Sequence, residues 1–223
     1  MTAFSNPFWV RVAGQWWITT VYLLGGLALA LVLIFGSTWE MPRIVAALFA
    51  VTLALHVLEE LNWPAGFHYM LNSVQKSKTP EIGPENRLSD LITNLGVQVL
   101  IIGVVIVGGN IATTIAFLIF GIGEAVVHLL FGFIIHRKLK PRGKRTIYGP
   151  GTVSALVGFL PVAIIAWVWL GSQSIGGWDI AIAILIIAVM IGVLIRLPMI
   201  VIDGRKYPEL AYKSLGYFTK FVR

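Results

Sequence analysis

The chain contains no cysteine. Disulfides, thiolate metal sites and iron–sulfur clusters are thereby excluded, and any metal has to be held by histidine and carboxylate. Charge is scarce as well: 12% of the 223 residues are Asp, Glu, Lys or Arg, about half the share of a typical soluble domain. Only four histidines are present, too few for the His-rich clusters of membrane desaturases. No long polar tract interrupts the chain, so no soluble appendage is expected.

What is present is apolar: 57% of the residues are hydrophobic and the mean hydropathy is +0.86. These residues gather in runs of about 20, the length at which an α-helix crosses a hydrocarbon core. The runs fall at about 15–36, 43–62, 88–109, 111–135, 152–171 and 180–201. The expected fold is all-α: one integral membrane domain over 1–223, a polytopic bundle of about six transmembrane helices. The first run is long, begins near Trp16 and lacks a small-x-small ending, so it reads as a span rather than a cleaved signal.

The net charge of +7 would, in a soluble protein, raise the question of nucleic acid. Its distribution answers differently. Of the 17 basic residues, 15 fall in segments 1–14, 63–87, 136–150 and 202–223, which six spans place on one side. Positive loops stay inside, so both termini are expected in the cytoplasm, across a bacterial-type plasma (inner) membrane. Membrane lipids, not nucleic acid, are the expected partners. The stretch 63–87 opens with Trp63, Pro64, Gly66, Phe67, His68 and Tyr69 and reads as an interfacial or partly re-entrant segment.

An ionisable residue within a span costs roughly 2.5–3.5 kcal/mol on insertion scales, which makes it a functional candidate. The second run ends in His56-Val-Leu-Glu59-Glu60, whose i, i+3, i+4 spacing puts three such groups on adjoining parts of one helix face. The fourth carries Glu124 and His128 at i, i+4, with His136 at its inner end. The third opens with Asp90 and Asn94, and Arg196 lies near the inner end of the sixth. Counting rise per residue, His56, Asn94 and His128 lie roughly 9–12 Å from the inner ends of their spans, at matched depth. The outer half has nothing comparable.

Two imidazoles and several carboxylates without thiolate suit a divalent metal: zinc first, with manganese or iron as alternatives. His56, Glu124 and His128 are the expected ligands, with Glu59 or Glu60 as a further ligand or as catalytic base. Asp90, Asn94, Tyr148 and Arg196 are candidates for orienting ligands or substrate. A carboxylate-bridged pair of metals is an alternative, although HxxE reverses the usual ExxH order. The plainer readings are structural: Glu124 paired with Arg196, Asp90 with a basic residue at the interface, and Tyr148-Gly-Pro-Gly151 as a helix-starting turn. The small residues Gly121, Gly123 and Gly132 are candidates for helix contacts.

The HxxEE motif at the end of an early span, a later His-bearing span and the Tyr-x-Pro-Gly turn resemble the HXXEE-domain membrane proteins over about 45–165. That resemblance implies a membrane fold and brings no settled activity. The site design is also similar to intramembrane CAAX-type proteases, but their EExxxR pattern is absent, since Pro64 stands four residues after Glu60. The expected function is an intramembrane metal-dependent enzyme, a hydrolase acting on a lipid or lipid-linked substrate from the cytoplasmic leaflet. The alternatives are a proton- or ion-coupled transporter on the same His/Glu cluster, and a subunit whose buried network only fixes packing.

Overall fold

The computed structural model describes Phe4 and residues 6–222, and the described residues form helices and connections with no strand. Six helices are long and apolar enough to cross a membrane: span one Pro7–Thr38, span two Met41–Asn62, span three Arg87–Val107, span four Ile111–Arg142, span five Thr152–Leu170 and span six Gly177–Lys206. The chain is thus an all-helical, multi-pass membrane protein. Span four outruns its expected end because His136, Arg137 and Lys138 occupy its last turn, where cations complement the negative helix terminus.

Short signals set the span boundaries. Pro42 lies in the first turn of span two, where a missing N–H leaves nothing unpaired. Asn110 starts span four: its side chain accepts from the Thr113 amide at 3.0 Å, and Thr113 Oγ1 accepts from the Asn110 amide at 2.9 Å. Gly108 and Gly109 take positive φ values of 105° and 71°, so the turn between spans three and four closes within three residues. Asn86 caps span three through the Leu88 and Ser89 amides.

Span two is the most enclosed of the six and packs against spans one, three, four and five. Close approach relies on small residues. A methyl on Gly25 of span one would lie 2.4 Å from the Ala54 methyl, and one on Gly121 would lie 3.0 Å from the Phe159 carbonyl. Gly132 abuts the Ile147 carbonyl, whereas Gly123 faces open space. Span six is the most exposed. Its first half, Gly177–Ile187, packs on span four, while Ala188–Arg196 leans onto span three.

The two ends of the bundle are built differently. Away from the basic loops, Phe49, Phe117, Phe120 and Phe159 pack with ring centroids 4.9–6.2 Å apart. Toward the basic end, four spans widen into π-helical turns: Leu58–Asn62, Leu91–Leu95, Ala155–Phe159 and Ala188–Arg196. Such turns displace side chains from the regular helical track and collect at functional sites.

The basic end is closed by the segment 63–87 and the C-terminal tail. The former contains the helix Phe67–Val74, whose side chains from His68 to Ser73 are buried. The tail is tied down at several points. Arg87 donates to the carbonyls of Glu209, Leu210 and Ala211 at 2.8–3.3 Å, and the Tyr217 amide to the Ala65 carbonyl at 3.1 Å. Lys144, from the basic stretch, is 1% exposed and donates to the Tyr148 carbonyl at 2.5 Å among the rings of Tyr217, Phe218 and Phe221. Burial holds its ammonium below the usual lysine value. This lysine pins the tail to the turn before span five.

Candidate metal centre

His56 and Glu60 are one helical turn apart on span two; Glu124 and His128 are one turn apart on span four. The packing of these spans brings the pairs face to face. His56 Nε2 lies 3.1 Å from Glu60 Oε1 and 3.7 Å from Glu124 Oε2; His128 Nε2 lies 3.3 Å and 3.4 Å from the same two oxygens. One ligand atom each from His56, Glu60 and His128 falls within a mutual separation of 4.8 Å. These three side chains are buried; that of Glu124 is 20% exposed.

Several of these contacts are close without being hydrogen bonds. Glu60 Oε1, His128 Nε2 and His128 Nδ1 are buried, and none has an aligned partner. Two imidazole nitrogens and two carboxylate oxygens thus crowd one small volume. A cation at that point would satisfy them together, whereas neutral side chains alone leave them desolvated at a cost.

A second layer fixes the orientation of His56. Its Nδ1 is 2.8 Å from Ser154 Oγ, and that hydroxyl donates to Glu59 Oε2 at 2.6 Å. With its single proton committed to the carboxylate, the hydroxyl accepts from His56 Nδ1–H, which leaves the Nε2 lone pair facing Glu60 and Glu124. A carboxylate-backed imidazole of this kind is the usual way of setting a metal-binding tautomer. Glu59 is itself held by the start of span five, accepting from the Val153 amide at 3.1 Å and the Ser154 amide at 2.7 Å. Negative charge is favourable at a helix N-terminus.

The turn Tyr148-Gly-Pro-Gly151 presses on the cluster. Gly151 has φ +89°, and a Cβ there would lie 2.1 Å from His128 Cε1 and 2.9 Å from Glu60 Oε1. No side chain fits. The turn thus starts span five, as expected from Pro150, and its last glycine also forms one wall of the site.

The expected residues distribute as follows. His56, Glu60, Glu124 and His128 converge. Glu59, expected as a ligand or base, is instead engaged by the span-five terminus and reaches the cluster only through Ser154. Asn94 and Arg196 line the same cavity, of about 460 Å³, together with Asp90 and Glu85. Tyr148 does not line it; its ring lies edge-on to Tyr217 at 5.1 Å, and burial with the adjacent Glu59 charge holds its hydroxyl above the usual tyrosine value. Two structural pairings anticipated for these residues do not occur. Glu124 faces the two imidazoles rather than Arg196, and Asp90 accepts from the Tyr212 hydroxyl rather than from a basic residue.

Sequence reasoning passed over Ser154, Glu85 and Tyr212. Ser154 alone carried a usable signal: a hydroxyl residue in the first turn of a span, three positions after a glycine turn. Beyond the cluster, His68 is 2% exposed, stacks on Tyr212 at 4.3 Å and has no hydrogen-bond partner on either nitrogen among the described residues. Burial alone lowers it to about 3.

Residues 47–166 match the family described as proteins of unknown function with an HXXEE motif. The matched stretch covers spans two to five except the first few residues of one and the last few of another, and includes all four converging side chains. No curated protein and no solved structure matches the chain.

Proposed function

The chain belongs to the HXXEE-motif family, and from the geometry of its site we propose that it is an intramembrane metal-dependent hydrolase acting on a lipid or lipid-linked substrate at the cytoplasmic leaflet. The observation that carries this reading is the convergence of His56, Glu60, Glu124 and His128, with Nε2–carboxylate distances of 3.1–3.7 Å. His56, Glu60 and His128 would hold the ion; two histidines and a glutamate form a set used for catalytic zinc. Such an ion supplies Lewis acidity and an activated water.

The remaining steps belong to side chains of this chain. All four members of the group line the cavity, and Glu124 is the least buried of them. It takes the proton of the attacking water as the new oxygen bond forms to the acyl or phosphoryl centre, and returns it to the departing oxygen as the old bond breaks. Glu59 and Ser154 hold the His56 ring. Gly151 keeps the opposite wall tight against His128. Phe120 and Phe159 close the cavity away from the basic end and exclude water there. A proton- or ion-coupled transporter using the same residues needs a path to the other face, and the four packed phenylalanines stand across it.

The test is elemental analysis of detergent-purified protein beside a His56→Ala, His128→Ala double variant of matched thermal stability. Near-stoichiometric zinc, manganese or iron in the wild type, lost in the variant, is the expected result. A well-folded wild type that takes up none of these ions when each is offered removes the metal reading.

A further inference from the structure

The cavity beside the cluster is lined by side chains of spans two to six and of the segment 63–87. Its lining includes Phe120 and Phe159, and Leu71 and Val74 of the Phe67–Val74 helix. Sideways, span six leaves span four after Ile187 and leans onto span three, where Thr93 Oγ1 donates to the Leu194 carbonyl at 2.8 Å. A cleft results between spans four and six. Ile119 and Val127 on one bank and Ile191 on the other line the cavity and are also 46%, 37% and 44% exposed. A residue that lines a cavity and faces the surroundings at once marks an opening. In a membrane, those surroundings are acyl chains. Gly123, between Ile119 and Val127, offers more room, because a Cβ there would meet nothing within 4 Å.

At the basic end of this cleft lies Arg196, which lines the cavity, is exposed and forms no ion pair among the described residues. A guanidinium at this depth is costly without a counter-charge, and its planar fork of donors matches phosphate oxygens. We propose that the cleft between spans four and six is a lateral portal for a phosphate-bearing lipid. Its chains lie against Ile119, Val127 and Ile191, and its phosphate is bound by Arg196. The assignment of a substrate class rests on the reading of the cluster as the chemical centre; the binding itself does not. The occupant follows from charge complementarity and from the apolar banks, which a water-soluble phosphate would not use.

The experiment is native mass spectrometry of the full-length protein released from micelles doped with equal amounts of dioleoyl phosphatidic acid and dioleoyl phosphatidylcholine, with metal content measured on the same samples. The wild type is expected to retain phosphatidic acid preferentially. Arg196→Gln lowers that retention about tenfold, the loss of one charge-assisted contact. Gly123→Phe lowers it to a similar degree by filling the cleft while leaving every charge in place. Arg137→Gln, which removes an exposed charge elsewhere at the basic end, leaves it unchanged, and thermal unfolding confirms that each variant is folded. Equal retention of the two lipids, or equal losses in Arg196→Gln and Arg137→Gln, overturns the portal, as does displacement of the lipid by soluble glycerol 3-phosphate. A metal-free wild type that still shows Arg196-dependent retention supports the portal and overturns the metal reading. A metal-loaded wild type with no selective retention overturns the portal alone.

Discussion

The half of the bundle around Phe49 and the half around His56 are made from the same spans, yet they solve different problems. In the first, Phe49 and Phe117 are fully buried, Ala46, Ala50 and Ala163 let the backbones approach, and Gln98 Nε2 donates to the Ala50 carbonyl at 3.2 Å. In the second, four spans are widened by π-turns, and the buried groups include His56, Glu60, Asp90 and His128. Lipid chains are as apolar as leucine, so the first half is held by close packing rather than by a hydrophobic effect. The second half keeps charge in a medium that disfavours it. The comparison teaches that the stability and the chemistry of this chain rest on different residues, which meet where the Phe159 ring lies 5.1 Å from that of His56, so substitutions in the two halves should fail in different ways.

The largest effect that tests this separation is Phe49→Ala. It deletes a fully buried ring that touches Phe117, Phe120 and Phe159 and should cost about 3 kcal/mol or more in reversible unfolding, while metal content stays at the wild-type level. His56→Ala should do the opposite, abolishing metal uptake with little loss of stability measured in a chelator. If His56→Ala without metal proved as destabilising as Phe49→Ala, the polar half would be structural and the separation would collapse.

Gly151→Ala comes next. The added methyl would sit 2.1 Å from His128 Cε1, on a backbone at φ +89°, so both the ring and the turn have to move. Zinc affinity in a competition titration should fall by about tenfold or more, as for a displaced ligand, with a loss of about 1–3 kcal/mol in stability. Gly103→Ala on span three, whose Cβ meets nothing within 4 Å, is the control and should be silent. Equal behaviour of the two glycine variants would mean that the turn does not shape the site.

Ser154→Ala sharpens the comparison further, because it alters no ligand. It removes the hydroxyl that links Glu59 to His56 Nδ1. Metal affinity should drop about 10- to 100-fold, the usual cost of losing such a partner. Glu59→Gln should weaken binding in the same direction, and the double variant should be little worse than either single one, since both break one chain of contacts. Fully additive losses would show that Glu59 acts on the metal by another route.

The fold was legible because a membrane leaves few options. Runs of about 20 apolar residues have one regular answer, the spanning helix, and Lys and Arg crowd one end. The cluster was legible for a related reason: His56, Glu60, Glu124 and His128 are expensive where they are, at similar depths on two spans. The orientation of Glu59 was not legible because helical spacing cannot tell which of two adjacent carboxylates faces inward; the widened turn at Leu58–Asn62 and the span-five terminus decide that. Ser154 was missed, and Gly151 reads first as part of a helix-starting turn, because a serine and a glycine cost little anywhere, so their roles exist only in the packed structure. The paired acids Glu85 and Asp90 met Tyr212 from a tail more than a hundred residues away, a contact no local pattern encodes.

The smallest effect concerns His68, which is buried in the polar half but stands apart from the converging ligands. Its folded value of about 3 lies below the ordinary 6.5. Between those two pH values the unfolded chain binds a proton that the folded chain refuses, so this group's contribution to stability is complete above pH 6.5 and is lost as the pH falls below it. The slope is about 1.4 kcal/mol per unit, or about 2 kcal/mol at pH 5 relative to pH 7. Glu85, pushed up by burial and by Asp90, works in the opposite sense and is common to every His68 variant, so the quantity to measure is a difference. His68→Phe keeps the stack on Tyr212 and removes both partnerless nitrogens. Its advantage over the wild type in reversible unfolding should be larger at pH 5 than at pH 7 by about that amount, with metal content unaltered. Parallel stability curves for the two proteins would place a proton or a partner on His68 in the folded state, and would draw it into the same network as His56 and His128.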